Sequence, residues 1–127
     1  MELEALRHYL KAKPGAYEDM PFGPDALVTK VMKKMFCLIA WESEPFSISL
    51  KCDPEYAQTL RSMYPAIIPG YHFNKDHWNT ITIDGSIPDE LICEMIDDSY
   101  QLVVSKLPKV RQMELKSLSG NDDASNK

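Results

Sequence analysis

Hydrophobic residues recur along the chain with two spacings, one typical of helices and the other of strands. Residues 2–12 place Leu3, Leu6 and Leu10 at helical spacing, and Pro14-Gly15 follows, so a first helix is predicted there. Pro88 precedes a longer helical pattern that reaches Leu107. The positions that form its apolar side are Ile92, Met95, Ile96, Ser99, Val103 and Leu107.

Strand patterns fill most of the chain between these helices. Met35–Trp41 is a continuous apolar run of strand length, and Phe46–Cys52 alternates between apolar and polar residues. The polar connection between them is short, which indicates an antiparallel hairpin. The other segments with strand character are residues 16–23 (an edge strand or extended segment), 27–31 (followed by Lys33-Lys34 at a turn) and 78–83.

A helix between the strands is marked at both ends. Asp53 can cap the first free N–H groups, and Pro54 suits the first helical position. Tyr64-Pro65 ends this helix, and residues 64–77 are predicted to form a long loop.

This order of elements predicts an α+β fold. Strands joined by short turns imply an antiparallel sheet, and the helices are expected to pack on one face of it, giving a two-layer sandwich. We expect residues 1–110 to form a single domain. Residues 111–127 are predicted to be a polar, disordered C-terminal tail, because they hold few apolar residues.

Length and composition restrict the class of protein. The chain has 127 residues and a net charge of −5, which fits one domain and argues mildly against a general affinity for phosphate backbones. No apolar run approaches the length of a membrane span, and the first residues lack the features of a signal peptide. The three cysteines are widely spaced in apolar stretches, which indicates reduced thiols and a cytoplasmic protein.

Residues 71–80 hold the densest group of side chains with binding chemistry. Trp78 could stack on a base or another flat ligand, while Asn74, Lys75 and Asn79 offer donors to phosphate. In the alternative interpretation, Trp78 belongs to the core or a sheet face and Asn74 builds a turn.

Two histidines and three lysines are weaker candidates. His72 and His77 have no third ligand nearby, so no metal site is predicted, and neither histidine has a paired nucleophile. Lys30, Lys33 and Lys34 form a basic cluster at the predicted hairpin tip, where they could contact phosphates or form a solvated turn.

Several motifs together resemble the MmcQ/YjbR family, over about Leu3 to Leu107. They are Pro14-Gly15, Glu18-Asp19-Met20-Pro21-Phe22-Gly23, Lys34-Met35-Phe36, Ser49-Leu50-Lys51-Cys52, Pro65-x-x-x-Pro69-Gly70-Tyr71-His72-Phe73-Asn74-Lys75-x-His77-Trp78-Asn79-Thr80 and Asp98-Ser99-Tyr100-x-Leu102-Val103. The resemblance implies a compact fold similar to CyaY, the bacterial frataxin, and a DNA-binding label. It brings no catalytic residues and no cofactor. Lys33 departs from the family's pattern, in which this turn position is often glycine.

The resemblance and the residues lead to two functional hypotheses. The first is a non-catalytic DNA-binding or regulatory protein. The alternative is a module that binds a small ligand or a protein through the polar and aromatic loop 71–79, without nucleic acid. The candidate binding residues for both are Lys51, His72, Asn74, Lys75, His77, Trp78, Asn79, Lys30, Lys33 and Lys34. We expect no enzyme activity, no cofactor, no membrane partner and a monomer.

Overall fold

Six strands and four helices make up the computed structural model of this chain, which describes residues 1–70 and 73–125, with side chains in the last helix as far as Leu118. In chain order they are α1 (Leu3–Lys11), β1 (Ala16–Asp19), β2 (Leu27–Val31), β3 (Lys34–Ala40), β4 (Ser47–Lys51), α2 (Pro54–Met63), β5 (Ile67–Pro69), β6 (Trp78–Thr82), α3 (Asp89–Ser105) and α4 (Lys109–Ser125). The strands form one antiparallel sheet in the order β1-β2-β3-β4-β6-β5. The predicted α+β architecture is therefore confirmed.

One face of the sheet is covered by the helices. Ile39, Ile48 and Ile81 point to this side and are fully buried, together with Leu6 and Leu10 from α1. Residues from α2 and α3 belong to the same core cluster. We call this side the covered face and the opposite side of the strands the open face.

A β-bulge interrupts the pairing of β2 with β3. Lys30 pairs with Met35 and Thr29 pairs with Cys37, so Phe36 is the extra residue on β3. This explains the continuous apolar run in the sequence, because Phe36 and Cys37 are both fully buried although they are neighbours.

The hairpin between β2 and β3 turns in two residues. Met32 and Lys33 have φ angles of 48° and 68°, as a tight hairpin turn requires, although neither residue is glycine. The sequence predicted that Lys34 lies in this turn. In the structure it is instead the first residue of β3.

The helix α2 begins as the sequence predicted. The Asp53 carboxylate accepts a hydrogen bond from the Tyr56 N–H at 3.2 Å, and Pro54 is the first helical residue. The prediction of an unbroken loop over residues 64–77 is wrong, because β5 lies inside it. Three residues with a proline at the end give too weak a pattern to reveal an edge strand.

The C-terminal segment differs from the predicted tail. Helix α4 covers most of residues 111–127, and its Leu115 is 4% exposed. Gly15, with a φ of +74°, leaves room for this leucine, since a Cβ at that position would lie 2.7 Å from Leu115 Cδ2. The contact joins two segments that are remote in sequence, so local composition did not predict it. The domain boundary at residue 110 stays a prediction.

Candidate functional site

Three lysines meet around a tryptophan where strands β3, β4 and β6 approach the end of α3. Lys51 is the last residue of β4 and pairs in register with Trp78, the first residue of β6. Lys34 begins β3, and Lys106 is the C-cap residue of α3. They surround a cavity of about 360 Å³. We call it the lysine pocket, and its lining residues are Lys34, Met35, Lys51, Trp78, Val103, Lys106 and Leu107.

The charged residues that line the lysine pocket, within the described part of the chain, are all lysines. Among the residues that the structure describes, none of its three lysines has a carboxylate oxygen within 4 Å. Partial burial lowers the pKa of Lys51, and the nearby positive charge of Lys106 lowers it further. An anion between these ammonium groups would relieve their repulsion.

Lys30 and Lys33, the other two lysines predicted at the hairpin, are in different situations. The Lys30 ammonium lies 2.8 Å from the Asp19 carboxylate, which raises the pKa of Lys30 and neutralises its charge locally. Lys33 is exposed at the turn and does not line the lysine pocket. The structure therefore separates the predicted basic cluster and brings only Lys34 to Lys51.

Trp78 is held by contacts on two sides. Its ring stacks on Phe73 with a centroid distance of 4.7 Å and an interplanar angle of 24°. The Gly70 N–H donates a hydrogen bond to the Trp78 carbonyl at 2.8 Å, and a Cβ on Gly70 would lie 2.9 Å from Trp78 Cβ. The ring is half-buried, so it forms a fixed aromatic wall beside the lysines.

The loop before β6 uses several candidate residues to build its own turn. The Asn74 side chain accepts a hydrogen bond from the Asp76 N–H at 3.1 Å, and the Asn74 carbonyl accepts one from the His77 N–H at 3.0 Å. The His77 carbonyl in turn accepts the Cys52 N–H at 2.7 Å. Neither Lys75 nor His77 lines the lysine pocket. His72 and Tyr71 lie outside the described residues.

Asn79 faces the helices and not the lysine pocket. It is 2% exposed, and its Oδ1 accepts a hydrogen bond from Arg61 Nε at 2.7 Å. The Lys75 carbonyl accepts a hydrogen bond from the same guanidinium group. Asn79 is thus separated from Trp78 by the alternation of β6, and its predicted role as a phosphate donor does not fit this position.

Lys106 is the residue of the lysine pocket that the sequence analysis missed. The sequence contains a signal for this position, because Lys106 stands between Val103 and Leu107, two residues of the apolar side of α3. A lysine next to such a stripe lies at the margin of the core, where its ammonium group can reach a strand end.

A second, larger cavity lies on the open face. Its volume is about 550 Å³. We call it the open-face cavity, and it is lined by Phe22, Ala26, Leu38, Ala40, Ser47, Ser49, Ile68, Pro69, Phe73 and Thr80. Phe73 thus belongs to this cavity and also stacks on Trp78 of the lysine pocket.

Within residues 1–70 and 73–125, no group of three or more His, Cys, Asp or Glu side chains is placed to hold a metal ion. In the same part of the chain, no helix combines the length and the apolar character that crossing a membrane requires.

Known proteins with similar sequences and structures place the chain in a family. The uncharacterised protein YjbR of Escherichia coli K12 is 36% identical over 112 residues, which are 88% of this chain and 95% of that protein. The uncharacterised protein YbdF of Escherichia coli O157:H7 is 41% identical over 90 residues, which are 70% of this chain and 73% of YbdF.

Two solved structures are also similar. The crystal structure of the Deinococcus radiodurans protein DR2400, with a DUF419 domain, has a TM-score of 0.84 and 40% identity, covering 90% of this chain and 87% of DR2400. A crystal structure from Pseudomonas syringae has a TM-score of 0.69 and 30% identity, covering 80% of this chain and 98% of the other. The model of the YjbR family matches residues 11–102. This chain therefore belongs to the YjbR family.

Proposed function

We propose that this protein is a non-catalytic nucleic-acid-binding protein with a regulatory role, and that DNA phosphates bind in the lysine pocket. The observation that carries the proposal is the convergence of Lys34, Lys51 and Lys106 around Trp78 without a carboxylate partner among the described residues. Lysines supply the phosphate contacts that dominate affinity for nucleic acid, and aromatic rings add stacking on bases.

The acidic net charge of −5 is compatible with this proposal because the charged residues that line the lysine pocket, among those described, are all lysines. Some carboxylates on β1 and α3 are paired with cations outside the lysine pocket. Glu18 binds Arg7 at 2.8 Å, and Asp97 binds Lys13. The pocket lysines therefore form a local positive surface on an acidic protein, which favours a defined contact over general adhesion to polyanions.

The test is fluorescence anisotropy of labelled duplex and single-stranded DNA at several salt concentrations. Affinity should fall steeply as salt rises, because each phosphate contact releases a counterion. We expect Lys51→Gln and Lys106→Gln each to weaken binding and to lower the slope of log K against log salt by about 1.

Two lysine variants serve as matched controls for the loss of one charge. Lys11→Gln removes a lysine of α1 that lies 3.7 Å from Glu18, and it should leave binding unchanged. Lys30→Gln removes the lysine neutralised by Asp19, and its effect should be smaller than that of Lys51→Gln. Absence of binding at low salt, or equal binding by wild type and a Lys51→Gln/Lys106→Gln double variant, would reject the proposal.

A small-ligand or protein-binding module is the second candidate. The open-face cavity favours it, because about 550 Å³ with mostly apolar walls falls within the range of ligand sites, about 300–1,000 Å³. If DNA does not bind, thermal stabilisation by a ligand library, lost in Phe73→Ala, would support this candidate. A cytoplasmic location and a monomeric state belong to the proposal as well.

A further inference from the structure

The open-face cavity offers flat apolar surface and three hydroxyl groups, and no charged side chain among the described residues lines it. Phe22 is 65% exposed and Ile68 is 45% exposed at its rim. On its floor Ser49 and Thr80 are paired in register, and their hydroxyl oxygens lie 2.9 Å apart. Among the residues that the structure describes, those that line the cavity are all uncharged. A charged group would lose hydration in this cavity without compensation, whereas an aromatic ring could enter it.

The open-face cavity and the lysine pocket are neighbours on the same strands. Ser49 and Lys51 stand two residues apart on β4, as do Thr80 and Trp78 on β6, so their side chains point to the same face. Successive side chains on one face of a strand are about 7 Å apart. Phe73 lines the open-face cavity, Trp78 lines the lysine pocket, and the two rings stack on each other.

This arrangement selects an occupant with a flat apolar part next to an anion. A nucleotide within a single strand has both parts, since its base can leave the stack while the adjoining phosphates stay on the backbone. In a duplex the bases are paired and stacked inside, so their faces are not available to the open-face cavity. The positive charge beside the cavity matches the phosphates.

We propose that the open face binds single-stranded nucleic acid, with a base in the open-face cavity against Phe22 and Phe73 and flanking phosphates on the lysine pocket. This inference rests on the proposed function and specifies its substrate class. It predicts that single strands bind more tightly than duplexes of the same sequence.

The experiment compares wild type and Phe22→Ala with single-stranded and duplex oligonucleotides at one salt concentration. Phe22 is well exposed, so its replacement should leave the fold intact, as circular dichroism and thermal unfolding can verify. Stacking of one base contributes about 1–3 kcal/mol, so Phe22→Ala should weaken single-strand binding about 5- to 150-fold. Its salt dependence should remain unchanged, because no phosphate contact is removed.

Two controls make the result specific to base stacking. Met113→Ala removes another exposed apolar side chain, 68% exposed on α4, and should change neither affinity. An abasic oligonucleotide, which has the phosphates but no bases, should bind wild type no more tightly than normal single strands bind Phe22→Ala, because it also loses the contact with Phe73. The variant should then lose nothing further with the abasic probe, as expected for two changes that remove the same contact.

The outcomes separate the two proposals. If duplex DNA binds at least as tightly as single strands and Phe22→Ala has no effect, the inference about single strands is overturned. The proposed function then stands provided that Lys51→Gln and Lys106→Gln still weaken binding. If neither form of DNA binds at low salt, both proposals fail.

Discussion

The covered and open faces of the sheet are built from the same strands but differ in the side chains that β4 and β6 contribute and in how deeply these are buried. On β4, Ile48 and Leu50 are at most 2% exposed against the helices, while Ser47 and Ser49 line the open-face cavity. On β6, Ile81 is fully buried and Thr80 faces the cavity. Alternation along each strand thus places the buried core on one face and the open-face cavity on the other.

One serine of α3 forms hydrogen bonds with the backbone of two neighbouring strands. The Ser99 hydroxyl donates a hydrogen bond to the Phe36 carbonyl at 2.6 Å and accepts one from the Lys51 N–H at 2.9 Å. It therefore satisfies the backbone at the β3 bulge and at the end of β4. The backbone of Lys51 is therefore fixed by α3, while the residue lines the lysine pocket.

A matched pair of phenylalanine substitutions gives the largest contrast between the faces. Phe36 is fully buried and packs edge-to-face on Tyr100 with centroids 5.2 Å apart, so Phe36→Ala should lower the free energy of unfolding by about 3–5 kcal/mol. Phe22→Ala on the open face should change it by less than about 0.5 kcal/mol. Urea denaturation of both variants measures the difference.

If Phe36→Ala does not fold, Phe36→Leu provides a milder version of the same substitution, with a cost expected to be below about 1.5 kcal/mol. Similar losses for Phe36→Leu and Phe22→Ala would contradict the assignment of stability to the covered face.

Ser99→Ala should have the next largest effect. It leaves the Phe36 carbonyl and the Lys51 N–H without their partner, and a buried unsatisfied group costs about 1–3 kcal/mol. Ser105→Ala is the control on the same helix, because the exposed Ser105 hydroxyl only donates to the Leu102 carbonyl. Equal midpoints of urea denaturation for the two variants would show that the two hydrogen bonds of Ser99 do not stabilise the fold.

Substitution of Asp98 should give the smallest effect on stability, and the size of this effect should depend on pH. Burial raises the pKa of its carboxyl group, and the charges of Glu94 and Asp97 raise it further. A carboxyl with a raised pKa is destabilised in its ionised form, so stability falls as pH rises through the interval between its unfolded and folded pKa values. Asp98→Asn should therefore stabilise the protein at pH 7, by less than about 1 kcal/mol for this partly exposed group.

The gain from Asp98→Asn should disappear in acid, where the carboxyl is protonated in both states. Glu18→Gln should show the opposite sign, because its hydrogen bond with Arg7 lowers the pKa of Glu18. Thermal unfolding at several pH values checks both, and a gain from Asp98→Asn that persists at the lowest pH would exclude a charge effect.

Local signals in the sequence predicted most of the fold. The Asp53 cap, the alternation of β4 and the helical spacing of α3 are each contained within a few neighbouring residues. Elements that depend on remote partners were missed. The three residues of β5 are held by pairing with β6, and α4 is anchored where Leu115 meets Gly15.

The same difference between local signals and remote contacts applies to the candidate binding residues. Lys34, Lys51 and Trp78 were identified from their residue types, and the structure brings them together. The orientation of Asn79 toward the helices was not predicted, because residue type does not reveal which face of β6 it occupies. Lys106 was missed because its place beside Lys51 depends on how α3 crosses the sheet.

The order of the strands has a consequence for how the lysine pocket assembles during folding. Strands β1 to β4 follow one another in both sequence and space, so each pairing closes a short loop. The pairing of β4 with β6 must enclose α2 and β5, and its closure costs more chain entropy. Since Lys51 meets Trp78 only through this pairing, we expect the lysine pocket to form late, as the sheet is completed.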